Sequence, residues 1–328
     1  LTKAYENYVG IGQYPNTTDT FIEAEKWPII HAEAVSQCDL LDGVEDGLIS
    51  DPFRCQFIPE TLLCSSTSPN KTACLTPPQL ENLRRMYRGW TDVNNTLVWP
   101  GVPVGSELTG LMAYTNADVG GGYGLDFYRY GILNDTSFIS TDITYEDVKI
   151  AEKVDSYGGI SDAFSPNLSA FHAHGGKILH YHGGQDSIVN TGISPLYYSN
   201  VLSFFASLGS HTQTKVPDFY RLFMVPGLGH CDGGDGAWVI GATGTFLPTA
   251  KNDTAHSALL ALIAWREDSK APEALVGTKY ANETVVNDTP VDLTIDFTRP
   301  SCLWPSIPQY QGGNVSEASS WGCPSPLL

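Results

Sequence analysis

The sequence predicts an α/β class built on a parallel sheet, and three observations carry that expectation. Residues 177–182 and 219–225 are short apolar runs ahead of glycine-containing turns, the pattern of buried strands. Between them, residues 194–208 have helical spacing. Past the second run, a glycine-rich loop reaches Gly236 and a helix is expected from about Thr254 to Arg266, with Asp253 or Thr254 as N-cap and Pro272 beyond its end. Strand and helix in alternation is the order that builds a parallel sheet.

The upstream half reads differently. Residues 1–30 hold a short helical pattern and then the apolar stretch Trp27, Pro28, Ile29 and Ile30, after which residues 31–35 open another helix. From Cys38 to about Ala170 the chain is rich in Gly, Pro, Asn and Thr, and residues 78–87 form its one long periodic element. This is the texture of a large irregular insertion stapled by disulfides. The division expected is therefore a core segment at 1–30, an insertion at 31–172 and a second core segment at 173–328.

Composition narrows the function. With 42% hydrophobic and 11% aromatic residues the chain has material for a sizeable core. Its 18 Lys and Arg against 36 Asp and Glu give a formal charge of −18, which repels phosphate backbones and anionic lipid surfaces. Nucleic acid and membrane are thus not expected partners. The start at Leu1, with no initiator Met or leader pattern, reads as a processed or truncated product. Sequons at Asn16, Asn70, Asn94, Asn134, Asn167, Asn252, Asn282, Asn287 and Asn314, together with 7 cysteines free of metal-site spacing, point to a secreted, extracellular glycoprotein. Sequence spacing suggests local loops Cys38 to Cys55, Cys64 to Cys74 and Cys302 to Cys323, which leaves Cys231 over. A Cys231 to Cys323 bond with another cysteine left over satisfies the count equally.

In open α/β sheets functional side chains sit just past the C-terminal ends of strands. The first strand ends in His180-Tyr-His-Gly-Gly-Gln-Asp186 and the second in Met224-Val-Pro-Gly-Leu-Gly-His230-Cys231. An acid and then a histidine on successive strand ends is how an α/β-hydrolase arranges the back half of a Ser-Asp-His triad. His230 would be the general base and Asp186 the group that fixes its tautomer. The nucleophile would lie upstream in a G-x-S-x-G elbow, a motif this sequence lacks. His172, His174, His180 and His182 are close in sequence, but strand alternation and the absence of accompanying acid spacing argue against a metal cluster. Asp232 and Asp235 read as turn residues.

At His230-Cys231 the sequence resembles the tannase and feruloyl esterase family of secreted fungal esterases. In that family a cysteine directly before the nucleophilic serine is disulfide-bonded to a cysteine directly after the catalytic histidine. Residues 38–48 (Cys-Asp-Leu-Leu-Asp-Gly-Val-Glu-Asp-Gly-Leu), with Asp51, Pro52 and Cys55, are similar to the family's calcium loop, and residues 271–280, 297–302, 310–313 and 318–323 are similar to its C-terminal part.

The resemblance implies the C-terminal part of an α/β-hydrolase fold, the insertion being a lid domain that binds calcium. It implies a structural Ca²⁺ held by Asp39, Asp42 and Asp46 with the carbonyls of Val44 and Leu48, hard oxygen donors of the kind the ion takes. It also implies a partner: the N-terminal chain of the same precursor, bearing the nucleophilic serine and linked through Cys231, since some fungal tannases are cut into two associated chains. The expected activity is hydrolysis of phenolic-acid esters through an acyl-enzyme, galloyl esters first and feruloyl or chlorogenic esters second. A non-catalytic, calcium-dependent glycan-binding protein would account for the acids, sequons and disulfides, but not for His230-Cys231.

Overall fold

The computed structural model describes residues 19–65, 71–95, 97–111, 123–139, 142–154, 164–209, 215–241 and 246–324. The chain divides into two compact units. One comprises Leu1–Gln37, Gln56–Ser165 and Ser187–Ile193; the other comprises Cys38–Cys55, Pro166–Asp186 and Ser194–Leu328. The loop Cys38–Cys55, expected within the 31–172 insertion, thus clusters with the C-terminal residues. No helix among the described residues is long and apolar enough to cross a membrane.

In the first unit the apolar stretch at 27–30 is itself the first turn of helix α1, Trp27–Cys38, which starts four residues earlier than the sequence suggested. Pro28 is tolerated there because the first turn of a helix needs no intrahelical N–H. Trp27 and Ile30 are fully buried with Ile22, Leu83 and Met86. Helix α2, Pro77–Arg88, matches the predicted 78–87 and owes its start to a capping box. Thr76 Oγ1 accepts the Gln79 N–H at 3.4 Å and Gln79 Oε1 accepts the Thr76 N–H at 3.0 Å. Helix α3, Tyr145–Val154, lies in the stretch read as irregular. Its opening is fixed by Asp147, whose carboxylate accepts from Thr144 N and Oγ1 at 2.8 and 2.7 Å. The Cys64–Cys74 disulfide closes a short loop of this unit.

The second unit contains the expected strand–helix–strand element. Strand β1, Ile178–Gly183, pairs in parallel with β2, Tyr220–Val225, in a register running from Ile178 opposite Tyr220 to Gly183 opposite Val225. Helix α4, Ile193–Ser207, is the crossover between them. Every residue of β2 is buried, as a strand covered on both faces requires. Helix α5, Ala258–Asp268, begins four residues after the predicted start because Ser257 is its cap, accepting the Leu260 N–H at 3.3 Å. Asp253 instead closes the preceding turn, accepting from Ala255 N and His256 N at 3.0 Å each. Strands β3, Ala274–Tyr280, and β4, Ile295–Cys302, form an antiparallel pair that the alternation rule did not anticipate. The Trp304 N–H bonded to Leu222 O at 2.8 Å ties the segment after β4 to β2. Disulfides Cys38–Cys55 and Cys302–Cys323 complete the three expected local pairs.

Candidate active site

The C-terminal ends of β1 and β2 are joined tightly, and that junction places both candidate catalytic residues. Gly184 N donates to Val225 O at 2.8 Å and Gln185 N to Leu228 O at 2.9 Å. At Gly183 a Cβ would lie 2.3 Å from Leu228 O, so only glycine lets the two loops approach. Gln185 then clamps the far side of the second loop: its Oε1 accepts the Asp235 N–H at 3.1 Å and its Nε2 donates to Asp235 Oδ2 at 2.8 Å. Lys279 Nζ on β3 holds Gly234 O at 2.7 Å. Gln185 and Lys279 were not singled out from sequence, and Asp235, read as a turn residue, is part of this clamp.

Within the junction His230 Nδ1 lies 3.1 Å from Asp186 Oδ2. Asp186 is 4% exposed, whereas the His230 side chain is 35% exposed and so accessible on its other edge. Burial pushes the Asp186 carboxyl up, but hydrogen bonds from His182 and then His230 outweigh it and hold the group below its ordinary value. An ionised Asp186 keeps the proton of His230 on Nδ1, which leaves Nε2 as the basic edge. Cys231, immediately after, is exposed and unbonded, with a positive φ of 68° that turns the chain sharply past the histidine.

The expected metal ligands lie in the Cys38–Cys55 loop. Asp39 accepts from the N–H groups of Asp46, Gly47 and Leu48 at 3.2, 2.8 and 3.2 Å, and Asp42 from Val44 N at 3.1 Å and from Ser50 Oγ. Arg299 Nη2 on β4 pairs with Asp46 Oδ2 at 2.6 Å. Among the described residues no three His, Cys, Asp or Glu side chains stand together as a metal cluster. Charge nevertheless fits a cation: Asp39 and Asp42 are 5% and 1% exposed, and Arg299 balances one carboxylate of three. Carboxylates and backbone carbonyls, the donors expected of this loop, are of the kind a hard ion takes.

Residues 3–324 match the family described as tannase and feruloyl esterase. The chain belongs to that family. It is 35% identical over 309 residues to a probable feruloyl esterase B-2 of Aspergillus fumigatus, a match that takes in 94% of this chain and 56% of the relative. A probable feruloyl esterase B-1 of Aspergillus oryzae is 33% identical, with 94% and 54% covered. The chain spans about half the length of the curated relatives it matches. Among solved structures, feruloyl esterase B from Aspergillus oryzae aligns with a TM-score of 0.84 at 31% identity, covering 98% of this chain and 61% of that one. An esterase from the same organism gives 0.86 at 30%, covering 98% and 60%. Tannin acyl hydrolase from Aspergillus niger gives 0.67 at 19% identity, covering 99% and 57%, a likeness of fold. The parallel β1–α4–β2 unit accordingly belongs to an α/β architecture shared with fungal esterases.

Proposed function

We propose that this chain supplies the base and acid of a secreted serine carboxylesterase acting on phenolic-acid esters, its serine carried on a separate N-terminal chain of the same precursor. The observation that carries the reading is the 3.1 Å contact of His230 Nδ1 with buried Asp186 at the ends of adjacent parallel strands. His230 Nε2 takes the serine proton as the serine attacks the ester carbonyl, and Asp186 stabilises the imidazolium. The imidazolium then gives that proton to the leaving alcohol, leaving an acyl-enzyme. Water, activated at the same nitrogen, releases the acid.

Feruloyl or chlorogenic esters are the favoured substrates over galloyl esters, because the relatives at 33–35% identity carry the feruloyl esterase name and the tannin acyl hydrolase stands at 19%. Calcium in the Cys38–Cys55 loop is part of the proposal, supported by three acids against one guanidinium. So is the bond from Cys231 to the cysteine before the serine, supported by the pairing of the six other cysteines. Secretion is supported by those disulfides and by the exposure of Asn94, Asn134, Asn167, Asn252, Asn287 and Asn314 at their sequons.

Hydrolysis of methyl ferulate, chlorogenate and methyl gallate by the purified native enzyme tests the substrate class. Ferulate or chlorogenate should be the best substrate, and His230→Ala should lower turnover by roughly 10⁴-fold. Near-normal hydrolysis by the variant at equal protein would remove His230 from the mechanism, and a dominant gallate activity would move the enzyme to the tannase side.

A further inference from the structure

Behind the Asp186–His230 pair runs a line of polar side chains that the triad chemistry leaves unused. His182 on β1 places Nε2 3.2 Å from Asp186 Oδ2, the oxygen that also receives His230. His182 Nδ1 is 2.6 Å from Ser194 Oγ at the start of α4. That oxygen is 3.0 Å from His180 Nε2, and His180 Nδ1 is 2.7 Å from the Tyr220 hydroxyl on β2. Strand alternation puts His180 and His182 on one face of β1, where α4 and β2 both reach them. Asp186, Ser194 and Tyr220 are at most 4% exposed, so the line is shielded from water over most of its length.

Counting hydrogens orients every link. An ionised carboxylate only accepts, so His182 donates to Asp186 from Nε2. A neutral imidazole that donates at Nε2 accepts at Nδ1, so the Ser194 hydroxyl donates to His182. The Ser194 oxygen then accepts from His180 Nε2, and His180 Nδ1 accepts from the Tyr220 hydroxyl. Burial, with His182 beside it, drops His180 to about 4, which keeps that ring neutral. Burial first, and then Tyr197 and Tyr198, raise Tyr220 and keep its phenol protonated. No other assignment of two neutral rings gives each of the four contacts one donor and one acceptor.

We propose that His182, oriented by Ser194, His180 and Tyr220, is a positioning residue of the ester-hydrolysing triad: its Nε2–H occupies an acceptor site of Asp186, fixes the carboxylate against His230 and moderates its pull on the His230 proton. The inference rests on the esterase reading above. With two donors on one oxygen, Asp186 is a weaker acceptor toward either. Removing His182 lets Asp186 hold the His230 imidazolium more strongly, so the base requires a higher pH to lose its proton. Facing Asp186 are His182 and His230, with Cys231 nearby and Asp232 beside that cysteine; the last two are common to every variant below.

The test compares His182→Leu and His182→Gln with the unmutated native enzyme on methyl ferulate. His182→Leu should cut kcat by roughly 10- to 100-fold with KM nearly unchanged, and move the acid limb of kcat/KM up by about one pH unit. His182→Gln, whose amide carries both a donor and an acceptor, should return the limb toward its original pH and recover most of kcat. An unmoved limb with only a reduced amplitude in His182→Leu, or no rescue by Gln, overturns the proposal. Nitrogen-15 NMR of the histidines reads the same assignment without any substrate: His180 and His182 should be Nε2–H tautomers and His230 an Nδ1–H tautomer. An Nδ1–H tautomer at His182 overturns the assignment whatever the kinetics show. If the unmutated enzyme hydrolyses none of the esters, the esterase reading falls, while the tautomer pattern still decides whether the line exists.

Discussion

His180 shows how one buried ring in this site couples to stability. Its folded value is depressed to about 4 from 6.5, burial being the larger cause and the neighbouring His182 the second. Between those values the unfolded chain binds a proton that the folded chain does not, so stability falls as pH drops from about 6.5 to about 4. Asp186 has a lowered value too, and its contribution is present above the ordinary carboxylate range and lost only on further acidification, so the two effects separate on the pH axis. A depression of this size corresponds to about 3 kcal/mol of acid-side destabilisation. His180→Gln should therefore flatten the melting temperature between pH 6.5 and 4.5 relative to the unmutated protein, whatever its effect at pH 7. Parallel pH curves for the two proteins would show that His180 is not a neutral buried ring.

The elements that sequence made legible are those whose apolar spacing has one reading. β1, α4 and β2 fall within about a residue of expectation, the strands because an apolar run ahead of a glycine turn has few other readings and the helix because its apolar residues recur at helical spacing. α5 was misplaced because Asp253 and Ser257 are both good cap residues and only tertiary contact decides which one starts the helix. β4 escaped notice because Arg299 and Ser301 are buried polar residues, which break the alternation of a half-buried strand. Asp186 and His230 were legible from their places past two strand ends, whereas Gln185, Ser194 and Tyr220 act through contacts that sequence distance conceals. The Cys38–Cys55 loop stands between these cases: its acids were evident, but the approach of Arg299 to Asp46 from β4 was not. A single guanidinium against Asp39, Asp42 and Asp46 leaves negative charge where two of these three carboxylates are buried. Metal analysis of the purified protein should accordingly find about one calcium per chain. Chelation should lower its melting temperature by roughly 5–10 °C, the equivalent of a site held at 100- to 1,000-fold over its Kd. Asp42→Ala should show the lowered temperature without chelator. Absence of calcium, with a melting temperature indifferent to chelator, would leave Arg299 as the counter-charge of Asp42 and Asp46.

At the scale of the molecule the unanswered chemistry is where the nucleophile comes from, and Cys231 is the residue that bears on it. Six cysteines close three local loops, and these bonds act within one chain by restricting its unfolded state. Cys231 is exposed and follows the candidate base directly, at a backbone turn with φ of 68°. A bond from this position to the residue before the serine would hold the serine oxygen within reach of His230 Nε2, where a displacement of about 1 Å costs on the order of 100-fold in rate. Such a bond governs rate more than folding, since Cys231 is exposed and is a member of none of the apolar cores of the two units. Cys231→Ser should thus lower ester hydrolysis by roughly 10- to 100-fold, with the melting temperature changed by only a few degrees. A non-reducing peptide map of the native protein gives the direct readout: Cys231 should appear linked to a peptide in which a serine follows the partner cysteine. Recovery of Cys231 as a free thiol, with full activity in Cys231→Ser, would require the serine to be held to His230 by packing alone.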